Sequence, residues 1–168
     1  LELLDKVQRH RRPQTRADFT AHHALAQRLA GESIVLLKNE EGLLPLRPEK
    51  TPRIAVLGKP AQEPVIQGSG CATTVPYLLD RPLDEIFDLA GDDFSVTSAV
   101  GAPDDLRDDE QALAQACRVA KEADVAVLFV STAVGEDGEN GDRQDLHILP
   151  VHERLIREVA TVQPNIVV

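Results

Sequence analysis

The sequence has no methionine and no tryptophan, one tyrosine and four phenylalanines. With aromatics at 3% of 168 residues, any core must be built mainly from Leu, Val, Ile and Ala. Hydrophobic residues at 42% suffice for one and exclude a wholly disordered chain. No apolar run is long enough to cross a bilayer as a helix. The start, Leu1 to Arg16, is charged and lacks the apolar stretch of a secretory signal. A chain without Met even at position 1 is expected to be a fragment or a processed piece, with any targeting signal upstream of it.

Positive charge is also scarce. Eighteen Lys and Arg against 28 Asp and Glu leave a net charge of −10. That sign opposes phosphate neutralisation, so no nucleic-acid partner is expected. A neutral ligand such as a sugar is compatible with it. Cysteine occurs twice, at Cys71 and Cys117, with no histidine at zinc-ligand spacing, so no metal is expected. Cys117 falls beside Ala116 and Ala120 on an apolar helix face and reads as a packed thiol.

The periodicity then orders the chain. The basic run Arg9-His10-Arg11-Arg12, followed by Pro13, reads as a solvated linker. From Phe19, apolar spacing through Ala26, Leu29 and Ala30 to Ile34 predicts a helix with Asp18 as its N-cap. Ile54 to Gly58 and Val125 to Val130 are continuous apolar runs and predict buried strands. Val96 to Val100 and Asn165 to Val168 predict two more. Asp108 to Asp124 predicts a helix facing inward through Leu113, Ala116, Cys117 and Ala120. Val151 to Val162 predicts another, with Val151, Leu155, Val159 and Val162 on its stripe. Apolar strands alternating with helices imply an α/β fold with a mostly parallel sheet. A chain that ends on a strand is expected to be truncated at its C-terminus.

Ligands of open parallel sheets bind at the carboxyl ends of strands. Two loops there stand out. The loop after Gly58 runs through Lys59-Pro60 to Gln67-Gly68-Ser69-Gly70. Its glycines come too late for a dinucleotide motif, which needs them directly after the strand. It is a turn-rich loop or the wall of a cleft. The loop after Val130 carries Glu136, Asp137, Glu139 and Asp142 among three glycines. It lacks the ligand order of a calcium loop. It is a solvated charge run or the carrier of a general acid. Such an acid must be protonated at working pH, which burial or a neighbouring carboxylate achieves.

Several motifs in order carry a resemblance. His22 to Asn39, containing Ser33-Ile-Val-Leu-Leu-Lys38-Asn39, resembles the entry to the second domain of family 3 glycoside hydrolases of the β-glucosidase type. Leu43-Leu44-Pro45-Leu46, Ile54 to Gly58, Gln67 to Gly70 and Pro82-Leu83 continue it. Glu139-Asn140-Gly141-Asp142-Arg143, then Leu146 and Leu149-Pro150, is similar to the family's Glu-Gly-x-Asp-Arg stretch, with the glycine displaced by one.

The resemblance implies a three-layer α/β/α sandwich over residues 18–168. Residues 1–17 are then a linker from a missing N-terminal (β/α)₈ barrel of the same polypeptide. It implies a retaining β-glycosidase acting on a β-linked glycoside, with an Asp nucleophile on the barrel and a Glu acid/base on this domain. Retention requires two carboxyl groups about 5–5.5 Å apart. Glu139 is the first candidate for the acid/base and Glu136 the second, because of the displaced glycine. Gln67, Gly68 and Ser69 are the substrate-side candidates. Asp142 and Arg143 are expected to pair and shape their loop. Lys38 and Asn39 are expected to do helix-end and loop-fixing work. No cofactor and no membrane partner is implied. Without a nucleophile the chain is expected to be inactive alone. Two rivals remain: a non-catalytic carbohydrate-binding or interaction module of the same fold, and a receiver-like domain. The latter needs an acidic pair after its first strand, where this chain has Gly58-Lys59-Pro60.

Overall fold

The computed structural model describes residues 2–9, 17–68, 70–103, 107–132 and 145–168. The chain divides into two units, Leu1–Lys38 and Asn39–Val168. The first holds helix α1 (Glu2–Arg9), within the segment read as a linker, and α2 (Phe19–Ser33). Asp18 caps α2 as predicted, its carboxylate accepting from the Ala21 amide at 3.0 Å. No residue of α2 is buried. Ile34, Val35, Leu36 and Leu37, which follow it, are between 60% and 91% exposed. Four apolar residues in a row facing water need a cover that the described residues do not supply.

The second unit is built on a parallel sheet. Its elements follow as β1 (Arg53–Leu57), α3 (Pro82–Ala90), β2 (Ser95–Ala99), α4 (Glu110–Glu122), β3 (Val125–Leu128), α5 (Pro150–Val162) and β4 (Ile166–Val167). The strand order is β2-β1-β3-β4, with every pair parallel. Alternation along β1 and β3 decides which helix covers which face. Ala55 and Leu57, with Ala126 and Leu128, pack against Leu113, Ala116 and Ala120 of α4 and Leu155 and Val159 of α5. Ile54, Val56 and Val125 face the other way, onto Leu83 of α3 and Ala61. The result is helices on both sides of a parallel sheet, the α/β sandwich that the sequence implied.

Small differences from the sequence reading have local causes. The predicted third strand ran to Val130, whereas β3 stops at Leu128. Its partner β1 ends at Leu57, in register with Leu128; the Phe129 amide still donates to the Leu57 carbonyl, and the pairing stops there as β1 turns at Gly58. Val162 lies at the last turn of α5 and is solvent-exposed, while Val151, Leu155 and Val159 are buried. Cys117 is half-buried against the α4–α5 core, and burial pushes its thiol pKa up, with Glu158 adding to the shift.

Polar groups seal the amino end of the sheet. The Arg53 guanidinium holds Asp124 through Nε at 3.2 Å and a terminal nitrogen at 2.6 Å, and the Arg53 amide adds a bond at 2.9 Å. Gln163 is buried, and its amide donates to the carbonyls of Ala120 at 3.0 Å and Ala123 at 2.8 Å. It thereby adds to the Ala123 amide at the Ala120 carbonyl and gives the Ala123 carbonyl a donor at the end of α4. Arg154 of α5 reaches Glu110 at 2.7 Å and Asp108 at 3.0 Å, tying α5 to the start of α4. The Arg53 and Gln163 contacts lie at the opposite end of the sheet from the carboxyl ends of β1 and β3, where the loops of interest begin; the Arg154 pairs lie on the carboxyl side, where α4 and α5 start.

Candidate functional site

Strand order locates a site. From β1 the chain crosses through α3 to β2 on one side. It then crosses through α4, on the opposite face, to β3 on the other side of β1. The direction of winding therefore reverses between β1 and β3. In open parallel sheets the crevice beyond the carboxyl ends at such a reversal is where ligands bind.

Glycine makes that crevice possible. Gly58 follows β1 with φ 104° and ψ 140°, outside the regions open to other residues. A Cβ at Gly58 would overlap the Phe129 carbonyl oxygen and lie 3.1 Å from its carbon. Close passage lets the Phe129 amide donate to the Leu57 carbonyl at 2.8 Å, while on the β2 side the Gly58 amide donates to the Ala99 carbonyl at 3.1 Å. The chain then turns through a short 3-10 helix at Lys59–Ala61.

A cavity of about 350 Å³ opens there, lined among others by Lys59, Glu63, Gln67, Gly68, Thr73 and Ser131. Its walls come from the loop after β1 and from the segment leaving β3. The Lys59 ammonium and Glu63 carboxylate lie 3.8 Å apart at its edge. Gln67 is a hinge of the wall. Its carbonyl oxygen accepts from the Thr74 amide at 3.0 Å and hydroxyl at 2.9 Å, and its amide donates to the Thr74 carbonyl at 2.9 Å. These bonds close the loop between residues 67 and 74 like a clasp. Beyond the clasp Val75, Tyr77 and Leu78 are exposed, at 96%, 65% and 50%.

The sequence-derived candidates divide as follows. Gln67 and Gly68 line the cavity. Ser69, Glu136, Glu139, Asp142 and Arg143 lie outside the described residues. Asn39 has loop-fixing contacts: its amide donates to the Leu44 carbonyl at 2.9 Å and its oxygen accepts from the Leu44 amide at 3.1 Å. Sequence reasoning passed over Ser131 and His152. His152 is fully buried, and its Nδ1 lies 3.1 Å from both the amide nitrogen and the carbonyl oxygen of Ser131. Its position three residues before Leu155 and seven before Val159, on one helix stripe, was the available signal.

A parallel α/β sandwich with a crevice at its winding reversal defines a ligand-handling α/β domain. The family is given by comparison. The family model described as Glycosyl hydrolase family 3 C-terminal domain matches residues 34–168. Thermostable beta-glucosidase B of Acetivibrio thermocellus is 39% identical over 154 residues, covering 90% of this chain and 20% of that protein. An exo-alpha-(1->6)-L-arabinopyranosidase of Bifidobacterium longum is 35% identical over 161 residues, covering 91% and 21%. Among solved structures, the GH3 beta-glucosidase of Bifidobacterium adolescentis superposes with a TM-score of 0.83 at 31% identity, covering 98% of this chain and 24% of that one. The chain belongs to the family 3 glycoside hydrolases, as their C-terminal domain. It spans about a fifth of the length of the curated relatives it matches.

Proposed function

We propose that this chain is part of a longer retaining β-glycosidase, to which it contributes the general acid/base and one wall of the sugar cleft. Residues 1–17 then link to a preceding barrel that bears the nucleophile, and residues 18–168 form the C-terminal domain. The observation that carries the reading is the cavity at the winding reversal, set in a domain of this family. One wall is the Gln67–Thr74 loop. The segment through Ser131 on the other side runs on to the acidic stretch that holds Glu139. The exposed apolar residues Ile34 to Leu37 support a chain that is covered by more protein than it contains.

In this reading Glu139 protonates the leaving oxygen while the barrel Asp attacks the anomeric carbon. Its carboxylate then takes the proton of the water that opens the glycosyl-enzyme. Glu136 is the second choice for that role. Gln67, Gly68 and Ser69 shape the sugar side. The ligand is a β-linked glycoside, and no metal or organic cofactor takes part.

Kinetics in the longer polypeptide test the assignment. Glu139→Gln is expected to lower turnover on an alkyl β-glucoside by about 10²-fold or more, the scale of a lost acid/base. Added azide is expected to restore part of the rate of Glu139→Gly on an activated aryl substrate. Unchanged turnover in both variants moves the role to Glu136 or elsewhere. The 168-residue chain alone is expected to release no nitrophenol from an aryl glucoside, and release would overturn the need for a barrel.

A further inference from the structure

Among the described residues, Nε2 of His152 is a buried side-chain nitrogen with no hydrogen-bond partner. The ring sits at the start of α5, fully enclosed, on the stripe shared with Leu155 and Val159. A leucine there would fill similar space without an unmatched polar atom, so packing does not account for a histidine. The other ring nitrogen does. Nδ1 lies 3.1 Å from the Ser131 amide nitrogen and 3.1 Å from the Ser131 carbonyl oxygen. One nitrogen cannot accept from the first and donate to the second at once. A buried amide N–H without an acceptor is rarer than an under-used carbonyl. The geometry therefore favours Nδ1 as acceptor from the Ser131 amide, with the ring proton on Nε2.

Ser131 lines the cavity and stands three residues beyond the end of β3. It precedes Glu139 by eight residues. We propose that His152 is a positioning residue: it fixes the Ser131 peptide and so sets the path by which the chain leaves β3 toward the acid/base. The proposal rests on the reading of Glu139 given above. His152 touches no substrate in this scheme and acts through the backbone it holds.

Acid assistance matters most when the leaving group is poor, which separates positioning from stability. His152→Leu in the longer polypeptide is expected to lower kcat/KM for an alkyl β-glucoside by about tenfold to a hundredfold, the scale of a small misplacement. For a dinitrophenyl β-glucoside, which leaves without protonation, the loss should stay within about threefold. His152→Asn offers an oxygen near the place of Nδ1 and should recover most of the rate. Equal losses on the two substrates, or an Asn variant as poor as Leu, overturn the proposal. Glu139→Gln measured alongside keeps the two ideas apart. If it shows the leaving-group dependence and the His152 variants do not, positioning fails and the acid assignment stands. If Glu139→Gln shows none, the acid assignment fails and positioning falls with it. Should His152→Leu not fold, imidazole ¹⁵N resonances of the unaltered 168-residue chain still decide. An unprotonated Nδ1 with a coupling across its hydrogen bond from the Ser131 amide is expected, and an Nδ1 hydrogen-bonded to neither the amide nor the carbonyl of Ser131 overturns the proposal.

Discussion

Gly58→Ala tests whether the two strand ends of the crevice approach as closely as described. Two separate costs apply. The first is backbone: φ 104° with ψ 140° is accessible to glycine and costs other residues about 1–3 kcal/mol. The second is steric. The new methyl would overlap the Phe129 carbonyl oxygen, a main-chain atom that cannot rotate aside. To make room, residue 58 must shift off Phe129, which weakens the Phe129-to-Leu57 bond on one side and its own amide bond to Ala99 on the other. Each is worth roughly 1 kcal/mol. The sum is about 4 kcal/mol, a large part of a typical domain's stability. Gly91→Ala is the control. Gly91 also has positive φ, at 50°, but a Cβ there meets nothing within 4 Å. Its ψ is −135°, so its conformation is also one that glycine favours, and its cost should be backbone alone, about 1–3 kcal/mol. The backbone costs roughly cancel, and the remaining difference of about 2 kcal/mol corresponds to roughly 4–8 °C in Tm for a chain of this size. Calorimetry of the two variants reads it directly. If Gly58→Ala melts no lower than Gly91→Ala, the close approach at Phe129 is wrong, and so is the crevice built on it.

Three further outcomes follow from other contacts. Asp124 is held below the usual carboxylate range, first by the side-chain hydrogen bond from Arg53 and then by the bond from the Arg53 amide. A carboxyl with a lowered folded pKa stabilises above its unfolded value of about 3.9 and loses that contribution as pH falls through the folded one. Asp124→Asn should therefore flatten the acid limb of a stability-against-pH curve, and identical limbs would refute the pairing. Gln163→Leu strips the Ala123 carbonyl of the Gln163 donor and leaves Ala120 with the Ala123 amide, and should cost about 1–3 kcal/mol in urea unfolding; a loss below about 0.5 kcal/mol would contradict the buried network. Gln67→Leu opens the clasp to Thr74. Amide exchange at Thr74 should speed up about tenfold or more while Tm stays within a few degrees, because the clasp is a local and exposed structure. Unchanged exchange would show that the loop is closed by something else.

The sheet and its long helices were legible because each is paid out in many repeats of one period. Ile54 to Leu57 and Val125 to Leu128 are apolar at every position, the mark of strands covered on both faces. Helix α4 showed its stripe over more than three turns. Helix α3 has nine residues and little more than two turns, too few for its spacing of Leu83, Ile86 and Ala90 to stand out, although Pro82 at its start and Gly91 at its end were the available punctuation.

The site was legible to a different depth, for a reason that concerns topology. Periodicity identifies strands but not their neighbours. It placed the loops after β1 and β3 on one edge of the sheet; that the loop after β1 and Ser131 line one cavity depends on β1 pairing with β3 in the order β2-β1-β3-β4. Ser131 acquires a role only through that pairing. His152 acquires its role only through Ser131, since a polar letter in an apolar stripe has no meaning until a buried partner is found for it. Motifs name candidates for chemistry, here Glu139 and Glu136. Candidates for aiming them are found by asking of each buried polar atom which backbone it holds, and for His152 the answer is the Ser131 peptide, three residues past β3.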